Sequence, residues 1–355
     1  MLISRLSRDI QINAKTLVLL ALLCFSSLVF AYESKNRLSF FADIADKNSL
    51  AGIDWMMELS GSEDLGFVEI SGEYSLLSRL RASWGDDFDA DITSQHYRYY
   101  LNLNRPQTEL RLGMQRLNFG SAKVLRPLMW FDNIDPMDSY QETKGVEALL
   151  LRHHWLNSAN LWLWGIRGAE DQKGNEFIGS RKNSLEFGGR FQYPSPIGDA
   201  GICYHQRELN AGHEYRLGAD LRMDYAIGLW LEASASYFDG NQQPINYTAL
   251  ASIGADYVFD IGNGLAITSE GMLNALSFSD LSKISYEDFI IAVMADYPLG
   301  LLDSLRLLTS YTISQEEYMI AGSWRRTYDL IALDIGLSKT KSRGCSVNLI
   351  ISSVF

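Results

Sequence analysis

One pattern runs through nearly the whole chain and limits what it can become. Apolar and polar residues alternate one by one, in runs of roughly ten, the length of a tilted strand that crosses a bilayer. In "EYRLGADLRMDY", Tyr215, Leu217, Ala219, Leu221, Met223 and Tyr225 face one way. Glu214, Arg216, Gly218, Asp220, Arg222 and Asp224 face the other. "SLEFGGRFQY" and "HYRYYLNLN" do the same, with Leu185, Phe187, Phe191 and Tyr193 on one side of the first and Tyr97, Tyr99, Leu101 and Leu103 on one side of the second. A period of two fits strands and not helices.

The punctuation agrees. All seven prolines fall between alternating segments or at their ends, where no ladder N–H is lost. Short turns such as "NRPQ" (104–107), "PSPIG" (194–198) and "IGNG" (261–264) alternate with longer polar links at 85–91, 169–182, 239–246 and 276–285. Short turns at one end and long loops at the other are the habit of outer-membrane barrels. The expected fold is therefore all-β, a transmembrane antiparallel up-and-down barrel. About sixteen strands are expected (14–18), from 66–84 to 345–355. An even count puts both termini in the periplasm. Residues 32–65 stand apart as an N-terminal segment, in which 36–60 add another hairpin or stay inside or below the barrel. Residues 66–355 form the barrel itself.

A soluble sandwich also alternates, but this chain has too many strands for one. It also places Tyr193, Tyr225, Tyr257 and Tyr297 near strand ends, where an interfacial girdle sits. The compartment follows from residues 1–31. Arg5, Arg8 and Lys15 precede the apolar run "LVLLALLCFSSLVFA", and Val29 and Ala31 fit a cleavage site, so 1–31 read as a signal peptide. Net charge is −12, and removing Arg5, Arg8, Lys15 and Asp9 takes away a net +2, leaving −14. Such a chain does not suit nucleic acid. Cys203 and Cys345 are the thiols left beyond the leader, too few for a disulfide framework.

The chain ends "SVNLIISSVF". Val347, Leu349, Ile351 and Phe355 share one face, and Ser346, Asn348 and Ser352 the other. This resembles the carboxy-terminal recognition strand of bacterial outer-membrane barrels. The resemblance implies that the barrel assembly machinery reads Val347, Leu349, Ile351 and Phe355. It also implies a multi-pass protein in outer-membrane lipid and lipopolysaccharide.

On the polar faces, Arg98, Arg111, Arg190, Arg216, Arg222 and Arg306 stand against a larger set of carboxylates that includes Glu186, Glu214, Asp220, Glu232, Asp256 and Glu270. The most distinctive stretch is 110–146. Alternation shifts phase near Gln115–Arg116, which suggests a bulge, and the chain then leaves the sheet. A loop of about 25 residues is usually functional. It carries Lys123, Arg126, Asp132, Asp135 and Asp138 around the apolar cluster Leu128, Met129, Trp130 and Phe131. That cluster should fold back onto the lumen wall. With Gly113 and Gln115 before it and Asp135–Pro136 near its end, the stretch is similar to porin-like outer-membrane proteins. The resemblance implies an inward loop, 120–144, that narrows the pore, with Arg98, Arg111 and Arg116 at its root.

No G-x-S-x-G, H-E-x-x-H or phosphate loop occurs, so neither catalysis, nor a cofactor, nor a metal is expected. The expected function is passive diffusion of small hydrophilic solutes, with a modest preference for cations; the oligomeric state stays open. The alternative is a plugged barrel with a structural or envelope-assembly role.

Overall fold

The computed structural model describes residues 31–45, 49–85, 88–138, 142–240, 246–277, 285–342 and 344–355. Apart from Ala31, the expected signal peptide lies outside the described residues. Among the described residues are eighteen strands and no helix. They are β1 (Ala31–Ala45), β2 (Ser49–Asp64), β3 (Glu69–Trp84), β4 (Asp89–Arg105), β5 (Thr108–Gln115), β6 (Val146–His154), β7 (Asn160–Arg167), β8 (Leu185–Ser195) and β9 (Gly198–Leu209). They continue with β10 (Gly212–Asp224), β11 (Gly228–Asp239), β12 (Tyr247–Phe259), β13 (Leu265–Ser277), β14 (Ser285–Pro298), β15 (Asp303–Thr312), β16 (Glu317–Thr327), β17 (Ile331–Thr340) and β18 (Gly344–Val354). Each strand pairs antiparallel with its sequence neighbours.

The ladder closes. β1 pairs with β18 from Arg37↔Val354 to Ala45↔Ser346, so the sheet has no open edge. Phe355 extends the seam: its N–H donates to Asn36 O at 2.9 Å, and Asn36 N–H donates to Phe355 O at 2.8 Å. Its ring lies on the outer face and is exposed. In lipid a sheet satisfies every backbone group only when it closes.

The strand count corrects the expected sixteen. The extra pair is β1 and β2, which take 31–64 into the wall. Their alternation is blurred because the inward face is apolar here. Phe41 lies under the Arg81 guanidinium at 4.0 Å, and Met56 is buried with Leu77 and Tyr97. With Phe40–Phe41 and Met56–Met57 side by side, apolar residues occupy both faces and the period of two fades.

Facing elsewhere follows the sequence pattern except at Tyr97 on β4: expected outward with Tyr99, it lies unpaired at the register shift opposite Ser75/Leu76 and turns inward onto Met56 and Leu77. Along β10, Glu214, Arg216, Gly218 and Asp220 are buried, and Leu217 is 63% exposed on the opposite face. The outer rings of Tyr215, Tyr237 and Tyr247 lie side by side, 6.2 and 5.0 Å apart, where β10, β11 and β12 reach the end that bears the long links. The connections 116–145 and 168–184 leave from that same end. The bulge expected near Gln115 is not there. Pairing of β5 with β6 runs unbroken to Gln115↔Val146, and the strand simply stops. Gln115 is fully buried and its amide donates to Ala148 O at 2.9 Å, which fixes the exit. The register shifts instead at Ser75/Leu76 and at Asn274/Ala275.

Candidate functional site

Two long connections build the site. Segment 116–145 leaves β5 and returns to β6, yet several of its hydrogen-bond partners lie on strands far from both. Glu232 on β11 accepts the backbone N–H groups of Ser121 (2.8 Å), Ala122 (2.9 Å) and Leu128 (2.7 Å). Glu270 on β13 accepts those of Lys123 (2.7 Å), Val124 (3.0 Å) and Leu125. Two wall carboxylates thus hold six consecutive or near-consecutive donors by charge-assisted bonds. Ser121 Oγ also donates to Asp220 on β10 at 3.2 Å.

Beyond this clasp the segment is anchored by oil. Leu117, Phe119, Leu128, Trp130 and Phe131 pack on Val146, Ala148, Leu150, Trp164, Ile166 and Cys203 of β6, β7 and β9. Phe119 stacks on Trp164 with centroids 5.6 Å apart, and Trp130 Nε1 donates to Ser234 Oγ at 3.0 Å. The approach is close at Gly218, where a Cβ would stand 2.3 Å from Leu128 Cδ2 and 3.0 Å from Trp130 Cζ2. Gly113 does the same for the exit: its φ is +127°, and a Cβ would lie 2.1 Å from Tyr99 O. The far part of the segment touches other strands. Thr143 N–H donates to Tyr97 Oη at 2.9 Å, Arg306 on β15 donates to Pro136 O at 2.6 Å, and Arg37 on β1 pairs with Glu142.

The expected site residues divide. Arg126 holds Asp132 through both guanidinium nitrogens, at 2.5 and 3.0 Å, and Asp132 is buried. Arg98 stands beside them, donating to Thr143 O at 3.4 Å. Burial disfavours the charge of Arg116, just past the end of β5; Asp132 opposes this, and Arg98 and Arg126 add to it. The structure therefore brings Arg98, Arg116, Arg126 and Asp132 together. It does not bring Arg111 with them: Arg111 pairs with Glu109 at 2.5 Å, and Arg152 joins that carboxylate at 3.3 Å. Lys123 stands on the opposite wall, 2.5 Å from Asp256. Asp135 and Asp138 shape a turn, accepting the backbone N–H groups of Met137 and Glu142, each at 2.8 Å.

The second connection, 168–184, reads in the sequence as a plain polar link, yet it is tied down. Asn175 N–H donates to Met129 O at 2.8 Å, and its amide donates to Arg126 O at 2.9 Å. Glu176 is buried between Arg207 (3.1 Å) and Arg216 (3.4 Å). Lys173 reaches Glu186 at 2.8 Å, and His205 Nε2 lies 3.2 Å from the same carboxylate. Sequence reasoning missed the clasp too, although a signal was present. Asp220 and Glu232 sit directly opposite in the β10–β11 register, a like-charge pair that is unfavourable unless something covers it. Arg190 covers Asp220 through two bonds, at 2.5 and 3.0 Å, and the segment's N–H groups cover Glu232.

No family model matches the chain, and no curated protein matches it. Solved structures do. Pseudomonas aeruginosa OccK2 (OpdF) superposes with a TM-score of 0.66 at 10% identity, covering 92% of this chain and 98% of that one. P. aeruginosa OpdK, solved with vanillate, gives 0.65 at 11%, covering 92% and 98%. Acinetobacter baumannii OccAB4 gives 0.63 at 10%, covering 91% and 97%. The fold is that of the OccD/OprD-type outer-membrane porins. At such identities the likeness extends to the barrel and its strand order.

Proposed function

We propose that the protein is an outer-membrane channel for passive diffusion of small hydrophilic solutes, narrowed by segment 116–145 folded into the lumen. One observation carries the reading: this single connection bonds to β1, β4, β10, β11, β13 and β15, which lie around the whole ring. A segment that reaches opposite walls of a closed barrel at once crosses its bore. The mechanism is size exclusion plus the field at the narrowing, with no covalent step. Residues 1–31 act as a signal peptide in this reading, and Val347, Leu349, Ile351 and Phe355 as the strand read during assembly.

Charges near the narrowing are mostly paired, as in Arg126–Asp132, Lys123–Asp256 and Arg190–Asp220. That favours weak ion selectivity with a small cation preference. A plugged barrel draws on the apolar packing of Leu117, Phe119, Trp130 and Phe131 and on the second tied connection. Planar-bilayer recording separates the two. The channel reading expects steady current steps from the refolded protein; a fully folded barrel that stays silent would leave the plug as the better account.

A further inference from the structure

A cavity of about 450 Å³ opens between residues 124–130, residues 174–177 and the lumen faces of β10–β13. Its size lies within the range of small-molecule sites, roughly 300–1,000 Å³. The charged groups in its lining are ion-paired. Arg126 is held by Asp132, and Arg216 by Glu214 at 2.7 Å and Glu176 at 3.4 Å. What remains is neutral. Ser236 and Thr248 face each other in the β11–β12 register, and Leu250 faces Asn274 across β12–β13. Met129 and Met272 complete an apolar side. Asn274 Oδ1 has no hydrogen-bond partner among the described residues, and a shielded acceptor of that kind calls for a donor.

We propose that this cavity is a solute subsite for uncharged, hydroxyl-bearing small molecules with one apolar face, of which a monosaccharide is the simplest example. The inference rests on the channel reading, whose solute class it narrows. An ion entering here sheds hydration, and the paired charges offer little to replace it. A polyol sheds less. Its hydroxyls meet Ser236, Thr248 and Asn274, and its C–H face meets Met129, Leu250 and Met272.

The test uses the refolded full-length barrel and three probes of matched size: D-glucose, gluconate and glucosamine. Equilibrium dialysis measures binding, and swelling of protein-loaded liposomes measures entry. Saturable glucose binding, with weaker binding and slower entry of both charged probes, is expected. Asn274→Leu combined with Ser236→Ala should weaken glucose binding about fivefold or more, from the loss of one or two neutral hydrogen bonds. Equal behaviour of the three probes with the wild-type protein overturns the proposal without reference to any variant, and so does glucose binding that the double variant leaves intact. Glucose binding by a barrel that passes no current would keep the subsite and overturn the channel; current without saturable glucose binding would do the reverse.

Discussion

The clasp at Glu232 and Glu270 can be opened without disturbing the strand ladders. Glu232 Oε2 takes the Ser121 and Ala122 N–H groups, and Oε1 takes that of Leu128. In Glu232→Gln the remaining oxygen can serve only one side, so the new NH₂ faces a buried N–H. Bonds to a charged acceptor are worth about 1.5–3 kcal/mol net, and neutral ones about 0.5–1.5. At the low end of these ranges, two bonds weakened by about 1 kcal/mol each and one lost come to about 3.5 kcal/mol, brought to about 3 because the repulsion from Asp220 is relieved. Adding Glu270→Gln, which holds three more N–H groups, brings the total to about 5 kcal/mol if the sites are nearly independent. That shifts a local equilibrium by more than a thousandfold. The apolar cluster around Trp130 and Phe131 stays seated on β6, β7 and β9, so detachment is confined to about 120–128. The double variant should therefore show flickering, enlarged bilayer currents and a new tryptic cut after Lys123. Its heat-modifiable migration should match wild type, because the strand ladders are unchanged. Wild-type noise together with wild-type trypsin resistance would refute the clasp.

Three further outcomes follow. Leu217→Arg, on the exposed outer face, should destabilise the barrel in vesicles by ~2–4 kcal/mol near the midplane, read by urea unfolding. Gly218→Arg, on the inward face, should push out Leu128 and Trp130 and alter the current; an unaltered trace would contradict the packing described here. Deleting Phe355 removes both backbone bonds to Asn36 and should sharply reduce membrane-inserted, heat-modifiable protein, with secretion intact. Replacing Asp132, Asp135 and Asp138 together by Asn frees Arg126 from its partner and should move the reversal potential toward anions at low salt, where screening is weakest. An unmoved potential would take these acids out of the ion path.

Period-two alternation made the barrel legible because lipid demands it on the outer face. It was blurred where the lumen face is also apolar, at Phe41 and Met56, so the hairpin over 36–60 stayed one of two readings and fell outside the count of sixteen. The 116–145 segment was legible from length and from Leu128-Met129-Trp130-Phe131, too oily for water. Its partners were not, since Glu232 and Glu270 look like any other lumen acids until the register sets Glu232 against Asp220. Segment 168–184 was opaque for a plainer reason. Glu176 and Lys173 are ordinary loop residues in sequence, and only the fold surrounds Glu176 with Arg207 and Arg216.

The central claim is that segment 116–145 lies in the solute path. It is tested most directly by recording the wild-type barrel beside one in which 120–142 are replaced by a short Gly-Ser linker, with polyethylene glycols of graded size as pore probes. Steady steps from the wild type, with larger steps and entry of larger polymers in the shortened barrel, are expected. Equal conductance and equal polymer cut-off from two well-folded barrels would contradict the account.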